Sequence, residues 1–170
     1  MKKEIIYISG GQRSGKSSYA ETLVKSMSSN PIYLATARCY DDEIRKRVKH
    51  HQNRRGEEWR TVEEETQLSK LSLEGEVVLM DCVTMWLTNI FLDHNSDGTK
   101  SLDFAKSEWD KFTAQDFQLV VVSNEIGMGV IPLGAETRSF VDMQGWMNQY
   151  IAQRADAAYA MISGLPLRLK

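Results

Sequence analysis

Ile5-Ile6-Tyr7-Ile8-Ser9-Gly10-Gly11-Gln12-Arg13-Ser14-Gly15-Lys16-Ser17 decides the fold. Residues 5–9 are an apolar run of strand length, residues 10–17 match G-x-x-x-x-G-K-[ST], and the chain reads as a helix from about Ser17 onward. Strand, glycine-rich turn and helix in that order is the context in which this pattern holds phosphate. Gly10 and Gly15 permit torsions that aim successive N–H groups into one concavity, to which Gly11, Gln12, Arg13 and Ser14 also contribute, and the helix N-terminus adds positive potential. Lys16 is expected to reach the β- and γ-phosphates and act catalytically, and Ser17 to ligate magnesium. The stretch predicts a nucleoside-triphosphate site of the P-loop kind.

Outward from the loop, short apolar runs at 5–9, 32–35, 77–80, 117–122 and 157–162 read as strands separated by helix-length segments. Near-continuous Val, Ile and Leu joined by helical crossovers predicts a mostly parallel sheet covered on both faces, hence a three-layer α/β P-loop NTPase domain. At 170 residues the chain is expected to form a single catalytic domain, 1–170, with the Asn-, Ser-, Asp- and Gly-rich stretch 93–101 as a surface connection. A net charge of −2 and a pI near 5.9 give no global basic surface, so no nucleic-acid partner is expected. Cys39 and Cys82 are too few and too far apart for a disulfide framework or zinc site and are read as buried thiols. The amino terminus lacks the pattern of a signal peptide, and no apolar stretch reaches the ~18 residues of a membrane span. A soluble, cytoplasmic protein is expected.

Asp81 follows the apolar run 77–80, where P-loop proteins place a carboxylate that organises magnesium; the other reading is an N-cap of the next helix. Asp41-Asp42-Glu43 followed by residues 44–55 has acids first and bases last, as the helix dipole favours. At about 100° per residue, Ile44, Val48 and His51 share one stripe, whereas Glu43, Arg47, His50 and Arg54 share its neighbour. His51 therefore reads as a packed or orienting residue. His50, between two cations suited to polyphosphate, reads equally as a nucleophile toward phosphorus or as part of a solvated basic face. Residues 124–132 follow the strand 117–122, and Gly127-Met128-Gly129 suits either a substrate-facing loop or a flexible connection; Glu125 is a weak candidate for holding a hydroxyl or its proton. Trp86, Trp109 and Trp146 read as core or subunit contacts.

These features resemble a known family, the bifunctional adenosylcobinamide kinases and adenosylcobinamide-phosphate guanylyltransferases of cobalamin biosynthesis. The resemblance spans essentially the whole chain. Besides the residue 10–17 loop, it is carried by Ile32-Tyr33-Leu34-Ala35-Thr36-Ala37, Asp41-Asp42-Glu43, His50-His51, Trp59-Arg60-Thr61 with Glu63, Asn124-Glu125-Ile126-Gly127-Met128-Gly129-Val130-Ile131-Pro132, and Asn148-Gln149. A generic P-loop kinase shares only the loop. The resemblance implies a RecA-like fold, phosphorylation of adenosylcobinamide by ATP or GTP with Mg2+, and transfer of GMP from GTP to adenosylcobinamide phosphate through a histidine matching His50. It implies nucleotide contacts from the loop, Ala35, Thr36, Ala37, His51, Gln52, Asn53, Arg54, Glu63 and Asp81, with Ser17 and Asp81 at the metal, in a homo-oligomer such as a trimer. The sequence departs from the family pattern at Arg55-Gly56, where Arg-Pro is expected, and in a shortened stretch between the Asp81 and Phe117 strands. A monofunctional small-molecule P-loop kinase and a nucleotide-dependent switch protein are the alternative readings.

Overall fold

A computed structural model describes residues 2–42, 45–46 and 56–170. The sheet has seven strands in the order β3-β2-β4-β5-β1-β6-β7: β1 (Glu4–Gly10), β2 (Ile32–Ala35), β3 (Arg60–Glu63), β4 (Val77–Asp81), β5 (Gln118–Asn124), β6 (Ala157–Ile162) and β7 (Leu165–Arg168). Every neighbouring pair is parallel except β6 with β7. The described helices are α1 (Lys16–Met27), α2 (Val83–Asp93), α3 (Gly98–Phe112) and α4 (Ala135–Arg154).

Strand alternation sends side chains to two separate cores. Ile5, Tyr7, Leu34, Val78, Met80, Leu119 and Val121 face a cluster completed by Trp86 of α2, Trp109 of α3 and Met143 of α4. Ile6, Ile8, Leu79, Val120 and Val122 face the other way, onto Ala20 and Val24 of α1 and onto Trp59. Both faces are dry, which is why these strands read as continuous apolar runs. One strand, β5, separates the loop-bearing β1 from the Asp81-bearing β4, the RecA-like arrangement.

The predicted strands are all present, and two more lie at the sheet's edges. In β3 only Val62 is apolar, and β7 is exposed along its length and contains Pro166, an imino acid confined to sheet edges because it cannot donate to a ladder. Neither buries enough to show as an apolar run. The expected connection 93–101 is shorter than its composition suggested: α3 begins at Gly98, and the Asp97 side chain caps it by accepting from the Lys100 amide at 3.0 Å. Cys39, expected to be buried, is exposed, and Cys82 is half-buried. Trp86 and Trp109 are fully buried, whereas Trp146 is 53% exposed.

Candidate active site

The loop joins the carboxyl end of β1 to the first turn of α1. Gly15 has φ +93° and Arg13 φ 55°, so the chain passes through left-handed conformations on its way into the helix. At Gly10 a Cβ would lie 2.7 Å from both the Met161 carbonyl oxygen and Ser14 Oγ, so only glycine fits. The turn between β6 and β7 supports the loop from outside: the Gly164 amide donates to the Ser14 carbonyl at 3.0 Å. Sequence reading missed this support, because nothing in Ser163-Gly164 points to the loop except a turn signal. Gly11, Gln12 and Arg13 are exposed, Ser14 and Lys16 are buried, and Gly15 and Ser17 are half-buried.

Lys16 Nζ donates to the Gly11 carbonyl at 2.6 Å and lies 3.5 Å from Ser14 Oγ. Burial lowers its pKa, and the Asp81 carboxylate works against that shift. Asp81 thus lies within electrostatic reach of the loop lysine. It accepts a hydrogen bond from the Tyr33 hydroxyl at 3.2 Å and is half-buried. It is not a helix cap: the N-cap of α2 is Cys82, which makes no side-chain cap bond.

The register of the sheet gathers the remaining described candidates along the carboxyl edges of the strands. Ala35 is in register with Glu63 on one side and Asp81 on the other, while Gly10 is in register with Asn124. Beyond Ala35, Thr36 is fully buried and its hydroxyl is bonded to the backbone of Cys82, and Ala37 is half-buried. A side-chain network missed from sequence fixes this exit. Buried Asn89 of α2 donates to the carbonyls of Thr36 at 2.7 Å and Glu65 at 2.9 Å, and accepts from the Tyr40 hydroxyl at 2.6 Å. Arg38 pairs with Glu65 and, through both terminal nitrogens, with Asp93. A lone Asn in an apolar helix was the only available signal. Of the helix expected over 44–55 only Arg45 and Lys46 are described, and both are helical; His50, His51, Gln52, Asn53 and Arg54 lie outside the described residues.

Among the described residues no group of three or more His, Cys, Asp and Glu side chains could hold a metal ion. Magnesium in triphosphate sites is held by one or two protein ligands and the phosphates, so a hydroxyl at Ser17 and one carboxylate at Asp81 fit that mode. No described helix is long and apolar enough to cross a membrane.

A RecA-like sheet carrying a glycine-rich loop, a buried loop lysine and a carboxylate two strands away defines a P-loop nucleotide-binding enzyme. The family described as cobinamide kinase / cobinamide phosphate guanyltransferase matches residues 6–169, and the chain belongs to it. The chain is 38% identical to the bifunctional adenosylcobalamin biosynthesis protein CobP of Pseudomonas aeruginosa over 96% of this chain and 95% of that protein. It is 35% identical to the bifunctional adenosylcobalamin biosynthesis protein CobU of Escherichia coli over 98% and 99% of the two chains. The protein of the same name from Salmonella typhimurium is 31% identical, again over 98% and 99%. Among solved structures, the flagellar accessory protein FlaH of Methanocaldococcus jannaschii gives a TM-score of 0.49 at 14% identity, covering 98% of this chain and 78% of that one.

Proposed function

We propose that this chain carries out both family reactions at the loop edge of its sheet. In the first, a nucleoside triphosphate, ATP or GTP, phosphorylates the aminopropanol hydroxyl of adenosylcobinamide. In the second, an imidazole nitrogen of His50 attacks the α-phosphorus of GTP, the bond to the β-phosphate oxygen breaks, and pyrophosphate leaves. The GMP then passes to adenosylcobinamide phosphate, giving adenosylcobinamide-GDP and free histidine.

The observation that carries the reading is the convergence of buried Lys16 and Asp81 beside the loop. Phosphoryl transfer asks a protein chiefly for position and charge stabilisation, which the loop amides of residues 10–15 and the Lys16 ammonium supply. Ser17 and Asp81 would hold Mg2+, which neutralises charge on the phosphates when bound. Ala35, Thr36, Ala37 and Glu63 line the adjacent strand ends and would contact the nucleotide, joined by His51, Gln52, Asn53 and Arg54. Nucleotidyl transfer needs a nucleophile opposite the leaving pyrophosphate, and a phosphoramidate keeps much of the triphosphate's transfer potential. A cytoplasmic homo-oligomer, such as a trimer, completes the reading.

The test is incubation with GTP labelled at the α-phosphate, denaturation, and assay of the protein for acid-labile, base-stable label. Stoichiometric label that chases onto cobinamide phosphate is expected. Turnover of both substrates without any protein-bound label excludes the covalent route.

A further inference from the structure

Asn124, Glu125 and Asn148, which carry part of the resemblance, have no part in the chemistry above, yet the fold gives them an organised place. Asn124 ends β5, the strand between the loop strand and the Asp81 strand. One residue further, the Glu125 amide donates to the Gly10 carbonyl at 2.9 Å, so the backbone of Glu125 is bonded to the first residue of the phosphate loop. Its half-buried side chain accepts from the Gly127 amide at 3.1 Å.

A buried polar cluster beneath holds this exit in place. Ser123 Oγ donates to Asn148 Oδ1 at 2.6 Å and accepts from Gln144 Nε2 at 2.9 Å, and Asn148 Nδ2 donates to the Asn124 carbonyl at 3.1 Å. From the α2 side, Thr84 Oγ1 accepts the Asn124 amide at 3.0 Å. Ser123, Gln144 and Asn148 are 0%, 1% and 6% exposed. Gln144 Oε1 is left without a partner, and the remaining buried hydrogen bonds of the cluster rigidify the backbone they serve. The carboxylate also sits close enough to buried Tyr7 of β1 that its charge adds to the burial that pushes that phenol up.

The other carboxylates at this edge have different surroundings. Asp81 is bonded by Tyr33 and faces Lys16, and Glu63 is on the outermost strand of the opposite side. Past Glu125 the chain exposes Met128, Val130, Ile131 and Leu133, at 88%, 95%, 78% and 99%, an apolar margin suited to a bulky acceptor.

We propose that Glu125 takes the proton from the acceptor hydroxyl in the kinase step, and that Asn148 and its buried partners are positioning residues that fix Glu125 beside the loop. This rests on the kinase reading above. The acceptor O–H bond breaks with its proton passing to the Glu125 carboxylate. The freed oxygen bonds to the γ-phosphorus, and the bond from that phosphorus to the β–γ bridging oxygen breaks. The nucleoside diphosphate leaves with the electron pair, and Glu125 returns the proton to solvent. Guanylyl transfer makes no such demand, because its acceptor is a phosphate monoester, already anionic at neutral pH.

The experiment measures both reactions in the full chain for wild type, Glu125→Gln, Asn148→Ser and the double variant. Wild-type phosphorylation of cobinamide establishes the kinase reading on its own. Glu125→Gln, which keeps an acceptor for the Gly127 amide, is expected to lower kinase kcat about 100-fold, with guanylyl transfer to cobinamide phosphate within about threefold of wild type. Asn148→Ser is expected to lower kinase kcat about tenfold alone and not further in the Glu125→Gln background, since it acts through Glu125. Kinase kcat within threefold of wild type in Glu125→Gln overturns the proposal, as does an equal fall in both reactions. Additive losses in the double variant overturn the positioning role.

Discussion

The hydroxyl of Thr36 donates to the carbonyl of Cys82 at 2.8 Å and accepts from the amide of the same residue at 3.0 Å. One buried oxygen thereby ties the exit of β2 to the exit of β4, immediately beyond the register pair Ala35 and Asp81.

Thr36→Val keeps the shape and β-branching of the side chain but strands the Cys82 amide, whose carbonyl still accepts from the Trp86 amide at 3.2 Å. An unsatisfied buried polar group costs about 1–3 kcal/mol, so a loss of about 2 kcal/mol in urea unfolding is expected. Thr36→Ser should recover most of it, since it restores the hydroxyl and forfeits only a methyl. A Thr36→Val protein within about 0.5 kcal/mol of wild type would mean the hydroxyl is not the tie.

The two cysteines should differ sharply toward alkylation. Cys39 is exposed, whereas burial, reinforced by the adjacent Asp81 charge, holds the Cys82 thiol up to about 12. Iodoacetamide reacts with thiolate, so at pH 8 peptide mass spectrometry should find Cys39 modified and Cys82 modified only after unfolding. Equal labelling of both in the native protein would contradict the raised thiol pKa described for Cys82.

How much of this was legible beforehand followed the physics of each element. Central strands are apolar on both faces, and the loop pattern has one mechanical use, so β1, β2, β4, β5, β6 and the Gly10-to-Ser17 geometry could be read directly. Edge strands β3 and β7 bury little, and their pairing depends on where the neighbouring strand runs. Asn89 and Gln144 carry no local signature, because their partners, the carbonyls of Thr36 and Asn124, are 53 and 20 residues away in sequence. Tertiary hydrogen bonds of that kind leave no local pattern.

Removing the charge of Asp81 should act on metal and lysine together. Asp81→Asn is expected to raise the magnesium concentration for half-maximal kinase rate roughly tenfold, a typical size for losing a group that orders a metal site. It also deletes a charge that offsets the lowering of Lys16 by burial, so the Lys16 pKa falls further. With the proposed catalytic role of the Lys16 ammonium, the alkaline limb of the pH–rate profile should move to lower pH. With Cys82 as the cap of α2, the fold should be little affected. An unchanged magnesium titration together with an unchanged alkaline limb would remove Asp81 from the site.

His50→Asn should abolish protein-bound GMP and guanylyl transfer while leaving measurable kinase activity, whereas His51→Asn should retain covalent labelling. The helix expected from the sequence would group His50 with Arg47 and Arg54, cations suited to a polyphosphate, and His51 with Ile44 and Val48. The family resemblance points to the same histidine from a different direction. On the proposed reading, kinase chemistry is at the γ-phosphate, where Lys16 and the loop amides would act, and it needs no adduct. The two reactions therefore separate in the His50 variant, and a slowed kinase would report only a shifted nucleotide. Wild-type levels of acid-labile label on His50→Asn, from GTP labelled at the α-phosphate, would transfer the nucleophile's role to His51.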